Sequence, residues 1–461
     1  MKQLLSLFLI ITSFSIYGQN VIITGNVEDQ MDKQIRVITY NDLFSNLKKT
    51  IGYTNTDSDG DFAMKLQLEE DKFAYLSVDL EKGEFYISPG SSYRFEIPKD
   101  TSTANKSIFD KLPLGFRLFA DDGGLQAGIE EFNIEYNDFV YNNVNRIYRS
   151  RDKSTVKGFV SRMNDKYGNA SIPYLKDYVS YTMASLLWLS KTKSNKDILK
   201  EYFINKPLIY NNIQYCDFFK EFFKSYFSSE KTFRYEDLIP ALNTAHSIEP
   251  LFELINRDSL IQSDKRIGEV VAMLIMSRNY FDRYVEKAAV IEKFEFIADN
   301  SEYEENSEIA NNFIKKLTSL QTDFPAPEFE LEDNSGNIYS LDSLAGNFTL
   351  LSFVDNNCKV CQFHLKKLGE IQDKLNFDFV SIVFGDSSND FEDYARDRGF
   401  EWPVLNIGKN ITLLEDYDVK VFPTYIFINP DGTIAYVHLP MPEENMELYL
   451  TRFMDRYNSK D

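Results

Sequence analysis

Cys358-Lys359-Val360-Cys361 constrains this chain more than any other segment. It is the one Cys-x-x-Cys in 461 residues, and a single further cysteine, Cys216, lies outside it. An apolar run from Phe348 to Val354 precedes the pair, and a helical pattern, Phe363-His-Leu-Lys-Lys-Leu368, follows it. Strand, short loop, two cysteines and helix is the layout of a thiol–disulfide centre. A helix N-terminus carries partial positive charge, which favours a thiolate there, and the thiolate is the reactive form. A second thiol one turn further on can attack the mixed disulfide made by the first.

Two blander readings stand beside that one. A structural zinc site takes about four ligands, usually from two such pairs. Here the spare soft ligands are Cys216 and three scattered histidines. A permanently closed structural disulfide also fits the spacing, although a loop this short adds little stability. The residues alone leave all three open and favour redox chemistry. No cofactor and no metal is expected.

The first residues read as an export signal. Lys2 is a short basic region, Leu4 to Phe14 an apolar core, and Ser15-Ile-Tyr-Gly18 a cleavage region before Gln19. The apolar core is shorter than the about 20 residues a membrane span needs. No cysteine follows it to carry a lipid, and no later run is long and apolar enough to cross a bilayer. The expectation is a periplasmic or otherwise exported mature protein without a membrane span. Paired cysteines suit such a compartment, but three are too few for a disulfide scaffold, so the chain must stand on its core. Its length suits about two to four domains. A formal charge of −21 argues against nucleic acid or an anionic membrane surface as partner.

Residues 20 to about 100 look all-β, with strands expected at Val21–Val27, Gln34–Tyr40, Phe62–Leu66 and Phe73–Val78. Turn chemistry at Asp57-Ser-Asp-Gly60 and Ser88-Pro-Gly90 separates them, which suggests a small sandwich. Asp57-x-Asp59-x-Asp61 resembles the start of a calcium loop. Its twelfth position is Leu68 rather than a bidentate glutamate and its flanks look like strands, so a β-turn is preferred. From about 105 to 320 the pattern is helical. Phe218, Phe219, Phe222, Phe223, Tyr226 and Phe227 recur at helical spacing, as do Val270, Val271, Leu274 and Ile275 and, further on, Phe281 and Tyr284. These stripes are expected to be core, with an apolar ligand groove as the alternative. Cys216 is expected to be a buried, inert thiol. Phe324-Pro-Ala-Pro327 cannot continue a helix and marks a boundary. Beyond it, strands at Thr349–Val354, Phe379–Phe384 and Thr424–Asn429 alternate with helices at Cys361–Leu375 and Phe391–Arg398. A βαβ unit and a hairpin through Asn429-Pro-Asp-Gly432 make an α/β sheet.

In this last segment Ala326-Pro327-Glu328-Phe329, Gly336, Leu341 and Leu344-Ala-Gly346 stand ahead of the cysteines. Trp402-Pro403-Val404, Tyr417-Asp-Val419, Phe422-Pro423-Thr424 and Asn429-Pro-Asp-Gly432 follow them in order. That ordered set resembles the TlpA/ResA-like thioredoxin family, whose C-terminal domain is of the alkyl hydroperoxide reductase/thiol-specific antioxidant type. Thr56-Asp-Ser-Asp-Gly-Asp-Phe62 and Ile87-Ser-Pro-Gly90 resemble, more weakly, an N-terminal β domain of unknown function found on such envelope proteins. The resulting architecture is a signal peptide at 1–18, a β-sandwich-like domain at 19–104, an all-α region at 105–322 and an α/β thioredoxin fold at 323–461.

The resemblance implies roles. Cys358 is the exposed nucleophile, Cys361 the resolving thiol, and Pro423 a cis proline facing the disulfide that frees the backbone at Phe422 to pair with an extended substrate. The chain departs from the family pattern at several positions. Asn357 stands where the family usually has Trp, and Lys359-Val360 separates the cysteines where Pro is common. Ser352 takes the place of thioredoxin's buried acid, and His364 that of the glutamate of ResA-like members. Resolution needs a nearby base, and histidine titrates near neutral pH, so His364 is the candidate proton acceptor, with Asp355 second. The implied function is an exported thiol–disulfide oxidoreductase acting on protein disulfides or thiols; as a reductase it needs an electron donor in the envelope. The alternative is a non-catalytic binding protein with a divergent thioredoxin domain. A peroxidase is a third reading, disfavoured on motif grounds because Asp355 stands where that family's loop has threonine. The four-residue spacing gives a copper-handling role no special support.

Overall fold

The computed structural model describes residues 18–99, 108–109, 113–121, 123–229, 234–333, 335–355, 358–372, 374–385, 396, 402–408 and 410–459. The expected leader at 1–17, Asn357, and all of the expected helix 391–398 except Arg396 lie outside the described residues. The chain divides into two compact units: residues 1–101 with 113–229, and residues 102–112 with 230–461.

The first unit begins with strands β1 (Gln19–Val27), β2 (Gln34–Tyr40), β3 (Lys48–Asn55), β4 (Asp61–Leu68), β5 (Lys72–Val78), β6 (Glu81–Ile87), β7 (Ser92–Ile97) and β8 (Arg117–Ala120). They form two four-stranded sheets, ordered β4-β1-β7-β8 and β3-β2-β5-β6. Alternate residues of both sheets, among them Val21, Ile23, Val37, Leu76, Phe85 and Phe95, enter one core, as period-2 patterning requires. The strand β8 corrects the expectation that residues from about 105 onward are helical. Residues 117–120 instead pair with β7, and the first helix among the described residues begins at Leu125. Asp57-Ser-Asp-Gly60 is a turn between β3 and β4. Asp57 Oδ1 accepts the backbone N–H groups of Asp59 and Asp61, both at 2.9 Å. Gly60 has φ of +80°.

Helices Leu125–Val144, Lys153–Tyr167, Pro173–Leu189 and Ile213–Ser229 complete this unit. Asp152 caps the second by accepting the N–H groups of Ser154 and Thr155, and Pro173 opens the third where no N–H is needed. Phe218, Phe219, Phe222, Phe223, Tyr226 and Phe227 are all buried, and Phe203 packs against four of these rings. The stripe is core.

In the second unit, helices Tyr235–Asn243, Glu249–Ile255, Lys265–Asn279, Lys287–Asn300 and Glu304–Thr318 precede the last domain. Val270, Val271, Leu274 and Ile275 are buried as expected, but Phe281 and Tyr284 are 68% and 55% exposed. The helix stops at Asn279, so helical periodicity no longer governs positions 281 and 284. Cations cover those rings instead, Lys287 over Phe281 and Arg283 over Tyr284.

The last domain is built on strands β9 (Glu330–Asp333), β10 (Ile338–Ser340), β11 (Thr349–Asp355), β12 (Asp378–Phe384), β13 (Val404–Asn406), β14 (Thr424–Ile428) and β15 (Ile434–Val437). They form one sheet in the order β10-β9-β13-β12-β11-β14-β15. β11 pairs in parallel with β12 and antiparallel with β14. Six of its seven residues are buried, as expected of a central strand covered on both faces. The crossover between β11 and β12 is helix Lys359–Gln372. Its Leu365, Leu368 and Ile371 share a core with Leu350, Val354, Phe427 and the Met446 and Leu450 of helix Met446–Asn458. This is a thioredoxin-type α/β fold.

Gly60 marks where the sandwich tolerates no side chain. A Cβ at Gly60 would lie 2.3 Å from the Val27 carbonyl oxygen in a left-handed backbone. Gly60→Ala should cost about 1–3 kcal/mol, read as a lower urea midpoint at unchanged slope.

Candidate functional site

The end of β11 delivers the chain to the cysteines. The Asp355 carbonyl accepts the Cys358 N–H at 3.1 Å, and the Cys358 carbonyl in turn accepts the Gln362 N–H at 3.2 Å. The helix therefore starts on the pair itself. Cys358 and Cys361 are joined as a disulfide. The Cys361 N–H donates to Cys358 Sγ at 3.0 Å, which places the first sulfur against the positive end of the helix. Cys358 is half-buried, whereas Cys361 is fully buried. Of the two residues between them, Lys359 and Val360 are both exposed.

β14 supplies the opposite wall. The Phe422–Pro423 bond is cis, and the Phe422 carbonyl oxygen lies 4.0 Å from Cys358 Sγ. The Phe422 ring packs against Phe384 at 5.8 Å and Phe109 at 4.9 Å. Exposed Val360, Phe363 and Val421 come from the two segments that carry the disulfide and the cis proline.

His364 is buried at 5% exposure, so it is not the exposed surface histidine that its helix position allows. Its Nδ1 lies 3.1 Å from Tyr425 Oη, and its Nε2 lies 3.2 Å from Glu443 Oε2. Lys367 Nζ reaches the other Glu443 oxygen at 3.4 Å. Burial lowers the His364 pKa below its ordinary value; the Glu443 charge opposes this and Lys367 adds to it. Burial resists ionisation of Glu443, but its own N–H, His364 and Lys367 outweigh that and hold its pKa below the usual carboxylate value. Burial raises the Tyr425 hydroxyl far above its ordinary value and keeps it neutral. Ser352, in the place of thioredoxin's acid, is fully buried and its hydroxyl has no hydrogen-bond partner among the described residues. Asp355 serves through its backbone carbonyl at the end of β11. The structure thus brings Cys358, Cys361 and Pro423 together and places His364 one turn beyond Cys361. Sequence patterns miss Tyr425 and Glu443. Tyr425 reads as one more residue of an apolar strand, and Glu443 as a turn residue.

The AhpC/TSA family profile matches residues 323–437. The thiol-disulfide oxidoreductase ResA of Bacillus subtilis (strain 168) is 28% identical over 141 residues, covering 30% of this chain and 78% of that protein. The ResA of Halalkalibacterium halodurans is 27% identical over 147 residues, covering 30% of this chain and 82% of its own. The C-terminal domain is a TlpA/ResA-like thioredoxin domain. Among solved structures, a thiol:disulfide interchange protein from Bacteroides sp. is 26% identical with a TM-score of 0.25, covering 29% of this chain and 88% of that one. Among the described residues, no helix is long and apolar enough to cross a membrane.

Outside the thioredoxin domain, Cys216 is fully buried and burial pushes its thiol well above the ordinary range. After reduction, iodoacetamide should therefore label Cys358 first. Cys361 and Cys216 should react appreciably only in denaturant, as read by peptide mass spectrometry; equal labelling of the three would contradict this geometry.

Proposed function

We propose that this protein is an exported thiol–disulfide oxidoreductase that exchanges disulfides with envelope proteins through its Cys-Lys-Val-Cys centre. The observation that carries the reading is the asymmetry of the pair. Cys358 Sγ is half-buried, receives a helix N-terminal N–H and faces the Phe422 carbonyl, while Cys361 is sealed behind it. The names of the ResA relatives support the same class of reaction. We place the leader at 1–18 and the domains at 19–104, 105–322 and 323–461.

In the reducing direction the Cys358 thiolate attacks one sulfur of a substrate disulfide. A Cys358–substrate S–S bond forms, the substrate S–S bond breaks, and the second substrate sulfur leaves as thiolate. Cys361 then attacks Cys358 Sγ, closing the intramolecular disulfide and releasing the first substrate sulfur. Two electrons pass from the dithiol to the substrate, and an envelope dithiol restores the pair. The oxidising direction is the reverse. The cis Pro423 leaves the Phe422 backbone free to pair with an extended substrate segment. His364 accepts the Cys361 proton.

The protein should reduce insulin disulfides with dithiothreitol as reductant, and Cys358→Ser should abolish the rate above background. Equal rates would overturn the enzyme and favour a binding module. The pH dependence has a defined sign. Because His364 titrates below its ordinary value, it is neutral and able to accept a proton at pH 7. The rate should hold at neutral pH and fall as pH drops below about 6.5 through the lowered pKa. His364→Gln should remove that limb and slow turnover by about 10²-fold.

A further inference from the structure

Two side chains close on His364 from elements other than its own helix. Tyr425 belongs to β14 and Glu443 to the turn Pro442–Glu444, so each ring nitrogen has one partner. Exposure rises along this line: Tyr425 is 1% exposed and His364 5%, whereas the Glu443 side chain is 33% exposed and reaches solvent. Ser352 stands directly opposite Tyr425 in the β11–β14 ladder. Cys361 precedes His364 by one helical turn, a spacing that sets Cβ atoms about 5–6 Å apart, and it shares a core with Tyr425. Buried polar groups are costly unless they are satisfied, yet this domain keeps three of them, Ser352, His364 and Tyr425, behind its reactive sulfur.

We propose that Glu443 and Tyr425 are positioning residues for His364, and that Glu443–His364–Tyr425 is a proton relay between buried Cys361 and solvent. Its use in turnover rests on the oxidoreductase reading above. Glu443 accepts the Nε2–H and fixes the tautomer, which leaves Nδ1 to accept a proton handed on by the neutral Tyr425 hydroxyl. When Cys361 attacks the mixed disulfide, its S–H bond breaks and the sulfur's electron pair forms the Cys358–Cys361 bond. The departing sulfur takes the pair of the old S–S bond. The proton moves to His364, the imidazolium is neutralised by Glu443, and the proton leaves at the exposed carboxylate. Lys367 is the other charge facing this carboxylate; it limits how far the ring pKa rises.

The test follows closure of the reduced wild-type protein by oxidised glutathione in single turnover, across pH 5–9, beside the Glu443→Gln, Glu443→Asp and Tyr425→Phe variants. Loss of the Glu443 charge should slow closure about tenfold. It should also move the acid limb down by about one pH unit, because that charge raises the His364 pKa. Glu443→Asp should restore most of the rate, and Tyr425→Phe should slow closure without moving the limb. Profiles that superimpose on wild type, whatever happens to the melting temperature, would overturn the relay. An NMR titration of the His364 ring needs no turnover: the midpoint should rise when the pair is reduced and fall in Glu443→Gln. A ring midpoint blind to both changes would also overturn it. A wild type that leaves insulin intact while the ring tracks both changes would sink the oxidoreductase reading and leave the relay standing. Should Glu443→Gln not fold, the aspartate and phenylalanine variants carry the same readouts.

Discussion

The antiparallel pairing of β11 with β14 holds the thiol centre together. Its register sets Ser352 opposite Tyr425 and Phe353 opposite Thr424. β11 ends at Asp355, whose carbonyl accepts the Cys358 N–H, and β14 begins immediately after cis Pro423. One ladder therefore places the disulfide and the Phe422 carbonyl on facing sides of a gap. Side chains alternate across a sheet, so a slip of one residue would carry Tyr425 to the opposite face and remove the hydroxyl from His364. Such a slip is resisted because both strands are almost wholly buried, so every side chain would have to repack in a close-packed core.

Around that ladder, two opposed physical effects act on the two sulfurs. Cys358 takes the field of the helix terminus and part of the solvent, which stabilises a thiolate. Cys361 is deprived of solvent and shares its surroundings with Leu365 and Leu350, which disfavours a free charge there. Removing a proton from Cys361 therefore calls for a nearby group able to take it. Cys216 illustrates the same desolvation: burial pushes its thiol pKa up, the Lys220 charge opposes this only in part, and its S–H meets the backbone carbonyls of Ile209 and Tyr210.

Much of the fold was legible. β1, β2, β4 and β5 alternate apolar and polar residues or pack β-branched ones closely, and the structure places strands there. β7 carries the same signal at Tyr93, Phe95 and Ile97, all buried, and could have been read. β3 could not, because Lys48-Lys-Thr-Ile-Gly-Tyr-Thr-Asn has no buried residue and becomes a strand by pairing with β2. β8 is four residues with an irregular pattern, and it owes its existence to β7. At the site, the Cys-x-x-Cys and Phe-Pro-Thr segments are local signals. The surroundings of His364 are not, since its partners lie on a distant strand and in a distant turn.

The sequence by itself determined the chemistry that the thioredoxin domain presents: two thiols one helical turn apart, a strand to deliver them and a proline-led strand to face them. Those are properties of short segments, set by helical and strand periodicity and by what proline permits. Tertiary structure decided the environment. Packing buried His364, joined it to Tyr425 and Glu443, left Cys358 half-open and sealed Cys361. Burial and charge proximity depend on which distant segments fold together, and a thiol's reactivity depends on both.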